Sequence, residues 1–355
     1  MRTALVAESF FPAVDGTTTT VKAVVDGLVD RGHEVLVIAP APGLTSYRGC
    51  RVARIQPREP IGAQVRAELE AFAPDVAHVT SPETVGRKAL KHAGRLGLRT
   101  LTVQQSPVSH LTAERWRTKV ADRSDRVLVT ATWMRERLGD LGVDAGLWAP
   151  GVDTAAFGPQ LRDQWLRANW ARAGSTGGPR VVVGYVGSLH RRHGVRRLAD
   201  LAQVPGIRPV LIGDGPQRPW LAARLPDAKF TGSLETGDLT RAMAALDVLV
   251  HPGTEETCCH ALREAAASGV PVVAPRSGGA PDVVRPLESG LLYQPADHNG
   301  FAQAVAMVAG DRHRALLGAC GRELAVRDWP TAVDELVDLH YGAITGRPTR
   351  TPHAA

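Results

Sequence analysis

The chain has 355 residues, of which 36 are glycine and 25 proline, and a formal net charge of +6; that length allows two domains, each with its own core. It holds no run of about eighteen apolar residues, so no membrane span is expected, and its four cysteines, Cys50, Cys258, Cys259 and Cys320, follow neither a disulfide nor a zinc spacing. The basic balance suits an anionic ligand or an anionic membrane surface, whereas no basic cluster is interleaved with aromatics and no DNA-binding motif occurs, which argues against nucleic acid.

In chain order, the apolar start reads as a strand, Arg2–Glu8, rather than a signal peptide, which with the cysteine usage implies a reduced, cytoplasmic setting. The loop Ser9–Gly16, a helix at Thr17–Arg31 and a strand at Glu34–Ala39 complete a right-handed βαβ unit, whose ligands sit beyond the carboxyl ends of its strands. Gly16 stands there, either as an ordinary turn glycine or as the point where a phosphate approaches the backbone. Further strands are expected at Val52–Gln56, Val76–Thr80, Thr100–Gln104 and Arg126–Ala131, with helices at Ala63–Phe72, Thr84–Leu96 and Thr132–Gly139. Between the last two strands lies His110, either a surface loop histidine or a residue with a catalytic or sugar-binding role.

The character changes at Leu147–Pro159, which leads into a Trp-rich helix, Leu161–Arg172, and a stretch of linker composition, Gly174–Pro179. A second α/β pattern starts at Val181 with a strand ending at Gly187, the loop Ser188–Gly194 and a helix at Val195–Ala202. It continues through strand Arg208–Ile212, turn Gly213–Pro216, helix Arg218–Ala223, strand Lys229–Thr231 and helix Thr236–Ala245. Then comes Leu246–Gly279: strand Asp247–His251, turn Pro252–Glu256, alanine-rich helix Thr257–Ser268 stopped by Gly269, strand Val270–Ala274 and a glycine turn. Helices at Phe301–Ala309, His313–Cys320 and Pro330–Tyr341 follow, and 346–355 reads as a disordered tail. The expected fold class is α/β, with two doubly wound domains facing across a cleft and a boundary between residues 172 and 173.

A turn entering a helix offers backbone N–H groups and a positive dipole end to an anion. Glu256 and Glu264 bracket the expected start of Thr257–Ser268, and carboxylates repel phosphate, so their partners are hydroxyls of a sugar or ribose. The stretch reads as a polyol phosphate site. Neither first strand runs into a G-x-G-x-x-G turn and no G-x-x-x-x-G-K-S/T loop occurs, which disfavours hydride transfer on a Rossmann site and P-loop chemistry. No D-x-D pair or His/Cys cluster offers a divalent metal site, so a leaving diphosphate needs backbone amides and cationic side chains. Arg191 and Arg192, directly after the first strand of the second pattern, are either that help or a solvated basic turn.

The segment E-E-T-C-C-H-A-L-R-E-A-A-A-S-G-V-P-V-V-A-P, with S-G-G-A-P-D-V-V and G-L-L-Y after it, resembles the donor site of retaining GT-B glycosyltransferases of family 4, in particular actinobacterial GDP-mannose-dependent α-mannosyltransferases. The likeness extends to A-E-S-F-F-P-A-V-D-G, R-G-H-E-V-L-V-I-A-P, G-V-D-T-A-A-F, G-D-G-P and L-D-V-L-V-H-P-G, in order over nearly the whole chain. It implies two Rossmann-like domains, an acceptor-side one at 1–172 and a nucleotide-sugar one at 173–328, with a helix at 329–345 crossing back to the first. It implies that Glu256 binds donor-sugar hydroxyls, that Glu264 binds the ribose, and that the amides of Thr257, Cys258 and Cys259 lie near the sugar and diphosphate. Gly16 would approach the diphosphate, Gly213 of G-D-G-P would belong to the donor site, and backbone at Ser233 and Leu234 would meet the base.

Two departures stand out. The family usually places an arginine and then a lysine where Ser188 and His193 stand here, and a lost cation on a leaving diphosphate costs on the order of a thousandfold in rate unless Arg191, Arg192 or a protonated His193 replaces it. An aspartate usual near Pro107 is also absent, and the acceptor segment is short. The expected activity is a retaining, metal-independent transfer of mannose, glucose or N-acetylhexosamine from a GDP- or UDP-linked donor to a hydroxyl of a small molecule or glycolipid, with no cofactor beyond that co-substrate. Specialised-metabolite tailoring fits the short acceptor region, and peripheral membrane association fits the charge. The alternative is a pseudo-transferase serving as a regulatory or nucleotide-sugar-binding subunit.

Overall fold

A computed structural model describes residues 1–12, 16–172 and 179–346, apart from the side chains of residues 110 and 325. The expected linker at 174–179 and tail at 346–355 therefore fall, except for residues 179 and 346, outside the described residues. The chain divides into two units, Met1–Pro150 with Trp329–Ala355, and Gly151–Asp328.

The first unit is built on β1 (Arg2–Val6), β2 (Glu34–Pro40), β3 (Ser46–Tyr47), β4 (Cys50–Ile55), β5 (Val76–Thr80), β6 (Arg99–Gln104), β7 (Arg126–Val129) and β8 (Gly146–Leu147). They form one sheet in the order β3-β4-β2-β1-β5-β6-β7-β8, parallel except for the pair of β3 with β4. Ala4–Val6 and Leu36–Ala39 are apolar without alternation and almost wholly buried, as strands covered by helices on both faces must be. The chain moves outward from β1 to β2 and β4, then restarts on the other side at β5, so the strand order reverses at β1. There Glu8 accepts hydrogen bonds from the backbone N–H of Glu83, Gly86 and Val85 at 2.7, 2.8 and 3.1 Å, closing the start of the helix Val85–Arg95. The segment after β6 contains a helix, Ala113–Lys119, fixed by buried Trp116 donating to the Gln104 side chain at 3.1 Å.

The C-terminal residues belong to this unit. Ala332 and Val333 are buried in the cluster that holds Leu5, Val24 and Leu28, and Trp148 donates to the Ala332 carbonyl at 2.8 Å. His78, driven to a pKa of about 3 by burial, is neutral and shares a hydrogen bond between its Nδ1 and the Tyr341 hydroxyl at 2.7 Å. The expected single helix Pro330–Tyr341 runs instead as Trp329–Glu335 followed by a π-helical turn, Leu336–Tyr341.

The second unit holds β9 (Val181–Val186), β10 (Ile207–Ile212), β11 (Lys229–Gly232), β12 (Val248–Val250), β13 (Val272–Pro275) and β14 (Gly290–Tyr293) in one parallel sheet ordered β11-β10-β9-β12-β13-β14. The order reverses between β9 and β12. Residues 151–172, assigned to the first domain from sequence, are part of this unit. The reason is their packing: Val152, Phe157, Trp170 and Ala171 share a core with Leu246 and Leu249. Arg162 and Arg167 bond Asp247 at 2.5 and 3.0 Å, and Asp247 also accepts from the Val182 N–H at 2.9 Å. Burial pushes the Asp247 carboxyl up, but the bonds from Arg167 and Val182 outweigh it and keep it ionised. Val195–Gln203 is a 3-10 rather than an α helix.

Candidate active site

In an open parallel sheet, ligands bind beyond the carboxyl ends of the strands where the strand order reverses. In the second unit that point lies between the loops that follow β9 and β12. The first loop carries the short turn Arg191–His193; the second runs from His251 to Cys259. Glu256 joins them: its Oε1 lies 3.1 Å from Nε2 of His251 and 3.4 Å from Nδ1 of His193. Nε of Arg192 donates to Nε2 of His193 at 3.2 Å, so the ring proton of His193 sits on Nδ1 and faces the carboxylate. Burial alone raises the Glu256 carboxyl, but His251 and His193 outweigh it and hold it well below the usual carboxylate range. The group is ionised, with 22% of its side chain exposed to receive a ligand.

The backbone beneath is tightly drawn. Gly278 has φ +60, and a Cβ there would fall 2.8 Å from both the Glu256 nitrogen and the Thr254 carbonyl, while the Gly279 N–H donates to the Glu256 carbonyl at 2.8 Å. A Cβ on Gly253 would lie 2.9 Å from Oε1 of Glu256. Only glycine suits position 278, and a side chain at 253 would push the Glu256 carboxylate aside.

The helix expected from Thr257 begins later, spanning His260–Ala267. Cys259 stands before it with φ 53, a left-handed conformation that cannot continue into helix, and buried Arg263 donates to the Cys258 carbonyl at 3.1 Å, fixing the loop. Glu256 is therefore a loop residue ahead of the helix, and Glu264 projects from within it. Glu264 is half-buried, its carboxylate makes no hydrogen bond or ion pair among the described residues, and burial pushes it up to about 7. A half-buried carboxylate without a partner is costly to the fold alone, which makes Glu264 a candidate binding group.

Two family models match the chain, "Glycosyltransferase Family 4" over residues 14–156 and "Glycosyl transferases group 1" over 180–311. A GDP-mannose-dependent alpha-mannosyltransferase of Mycolicibacterium smegmatis is 38% identical, with 98% of each chain covered. One of Mycobacterium tuberculosis is 37% identical over 100% of this chain and 99% of its own. The chain is a family 4 glycosyltransferase. Its fold matches the solved sucrose-phosphate synthase of Thermosynechococcus elongatus with a TM-score of 0.80 at 22% identity, covering 97% of this chain and 99% of that one, and is the two-domain GT-B architecture.

The remaining residues singled out from sequence fall in three groups in this glycosyltransferase. Ser188, Gly213, Ser233 and Leu234 follow β9, β10 and β11 on the same strand-end edge as Glu256; Gly213 donates to the Gly232 carbonyl at 2.9 Å, and Ser188 accepts from the Tyr185 hydroxyl at 3.0 Å. Thr257 is half-buried and Cys258 and Cys259 are buried free thiols between the two glutamates. Gly16 and His110 belong to the first unit: Gly16 opens the helix Gly16–Asp30, and His110 opens a turn, His110–Thr112, its side chain lying outside the described residues.

Of the cations, Arg192 is committed to His193, whereas Arg191 is exposed and makes no side-chain hydrogen bond among the described residues. Sequence reasoning missed His251, which also stacks on Tyr185 with ring centroids 6.1 Å apart; its only signal was a histidine closing the apolar run D-V-L-V-H. Among the described residues no group of three or more His, Cys, Asp or Glu side chains is placed to hold a metal.

Proposed function

We propose that this glycosyltransferase moves a hexosyl group from a nucleotide diphosphate sugar to a hydroxyl acceptor with retention at the anomeric carbon and without a metal, and that its donor is GDP-mannose. The observation that carries the reading is the pair at the second unit's strand ends, an ionised Glu256 held by two histidines and an unpartnered, half-buried Glu264. Glu264 takes the ribose hydroxyls and Glu256 those of the sugar, while the amides of Thr257, Cys258 and Cys259 meet the diphosphate at the helix start. The leaving diphosphate accepts the acceptor's proton on the face it departs from, so no protein nucleophile is required. GDP-mannose is chosen because relatives aligned over nearly the full chain carry that donor in their names.

The reading is tested by NMR of the product glycoside formed from GDP-mannose: the α-anomer is expected, and a β-anomer would sink the retaining mechanism. A thermal-shift series should show GDP-mannose stabilising the protein more than UDP-sugars. Binding of GDP-mannose without any transfer or hydrolysis would instead support a regulatory subunit.

Arg191, together with Arg192 beside His193, is the positive charge this proposal gives to the diphosphate. Their joint replacement by alanine is expected to lower turnover by about a thousandfold, the scale of losing a preorganised charge partner, with an unchanged melting temperature because both are exposed. Turnover within a few-fold of wild type would exclude them.

The acceptor is proposed to be membrane-borne, approached through the first unit. The helix Val85–Arg95 carries Arg87, Lys88, Lys91 and Arg95, and Lys91 is pulled below its usual pKa first by Arg95 and then by burial, Lys88, Arg123 and Lys119, a field of one sign. Co-sedimentation with anionic phospholipid vesicles is expected at low salt, falling away at high salt; equal sedimentation with neutral vesicles would count against it. Among the described residues no helix is long and apolar enough to cross a membrane.

A further inference from the structure

At the opposite end of the second unit's sheet, where β12 and β13 begin, lies a cavity of about 760 Å³, inside the ~300–1,000 Å³ range of small-molecule sites. Five arginines line it, Arg162, Arg167, Arg312, Arg314 and Arg322, against two carboxylates, Asp247 and Glu323. Much of this charge is unused. Arg162 and Arg167 share the single carboxylate of Asp247. Arg314 and Arg322 each spend only Nη1, on the carbonyls of Ala309 and Asp311 and of Phe157 and Ala267 respectively. Their Nε and Nη2 groups have no partner among the described residues, and neither does the exposed guanidinium of Arg312.

A second, independent feature marks the same wall. Ser268, which ends the helix His260–Ala267, is 3% exposed, and its hydroxyl has no hydrogen-bond partner among the described residues. Buried hydroxyls are normally satisfied. Planar guanidinium forks match phosphate oxygens in pairs, while Leu246, Pro271 and Ala319 give the cavity apolar walls for a ligand body.

We infer that this cavity is a second binding site, for a phosphorylated small molecule of about nucleotide size, separate from the strand-end site of Glu256. The ligand's phosphate lies among Arg312, Arg314 and Arg322, and its less polar body rests against Leu246, Pro271 and Ala319.

Isothermal titration of the full chain with inorganic pyrophosphate tests this. Wild-type protein is expected to bind it, and Arg312→Ala and Ala319→Glu each to weaken binding at least tenfold. Glu264→Gln, at the other end of the helix, is expected to leave that binding in place. Residues 312 and 319 are both exposed, so neither variant removes packing, and unchanged melting curves verify the fold. Pyrophosphate affinity equal to wild type in both cavity variants would overturn the assignment. So would loss of all binding on Arg191→Ala, because it would place the anion at the strand ends.

Discussion

Glu256→Gln is expected to lower kcat/KM for glycosyl transfer by about a thousandfold while leaving the protein folded. Hydrogen bonds from sugar hydroxyls to an ionised acceptor are worth roughly 1.5–3 kcal/mol each. The departing sugar also gains positive character in the transition state, which a fixed carboxylate stabilises in a water-poor site. Together these reach the ~4 kcal/mol that a thousandfold loss requires. Glutamine keeps the shape wedged between His193, His251 and Gly253, so the loop is retained. Steady-state kinetics alongside thermal melts check this; a variant with near wild-type kcat/KM would remove Glu256 from the chemistry.

The second large effect is at Glu264, and it has opposite signs with and without donor. The carboxyl sits at about 7 in the folded protein against an ordinary value of 4.5. Between those values the folded state binds more protons than the unfolded one, so the group's contribution to stability falls as pH rises through the window, and above about pH 7 the protein carries the whole penalty. Glu264→Gln is therefore expected to make the ligand-free protein more stable at pH 8, by about 1–3 kcal/mol after allowing for partial exposure. The gain should fade as pH drops toward 4.5. The same change is expected to weaken GDP-mannose binding by about ten- to a hundredfold, the worth of a charged hydrogen bond to ribose. Denaturant melts at pH 8 and pH 5, with and without donor, separate the two effects. A variant less stable than wild type at pH 8 without ligand would contradict the unpartnered state of this carboxylate.

The doubly wound order was legible because strands of a parallel sheet are continuous apolar runs, and Val76–Thr80 and the helices Thr132–Gly139 and Thr236–Ala245 fall where the pattern places them. The two-residue edge strands Ser46–Tyr47 and Gly146–Leu147 are too short to carry a period. Whereas the structure divides the chain at Pro150, composition sets the domain boundary at 172, because the Trp-rich helix Gln164–Ala171 looks like an end of the first domain. What fixes it to the second is Asp247, about eighty positions away, and its pairs with Arg162 and Arg167. Such long-range ion pairs leave no local trace. Glu256 and Glu264 are legible as candidates because their spacing and glycine-bounded setting are local. The late start of the helix was not, because it depends on the left-handed backbone at Cys259 and on Arg263 reaching back to Cys258. The sequence offers His193 as one cation for the diphosphate; the fold adds what no local pattern shows, that its Nδ1 lies 3.4 Å from Glu256.

The most direct test of this account is a crystal structure of the protein with GDP-mannose. The nucleotide is expected beyond the ends of β9 and β12, with ribose hydroxyls within hydrogen-bond distance of the Glu264 carboxylate and mannosyl hydroxyls within that distance of Glu256. A nucleotide bound elsewhere, or a Glu264 carboxylate still without a partner in the complex, would contradict it.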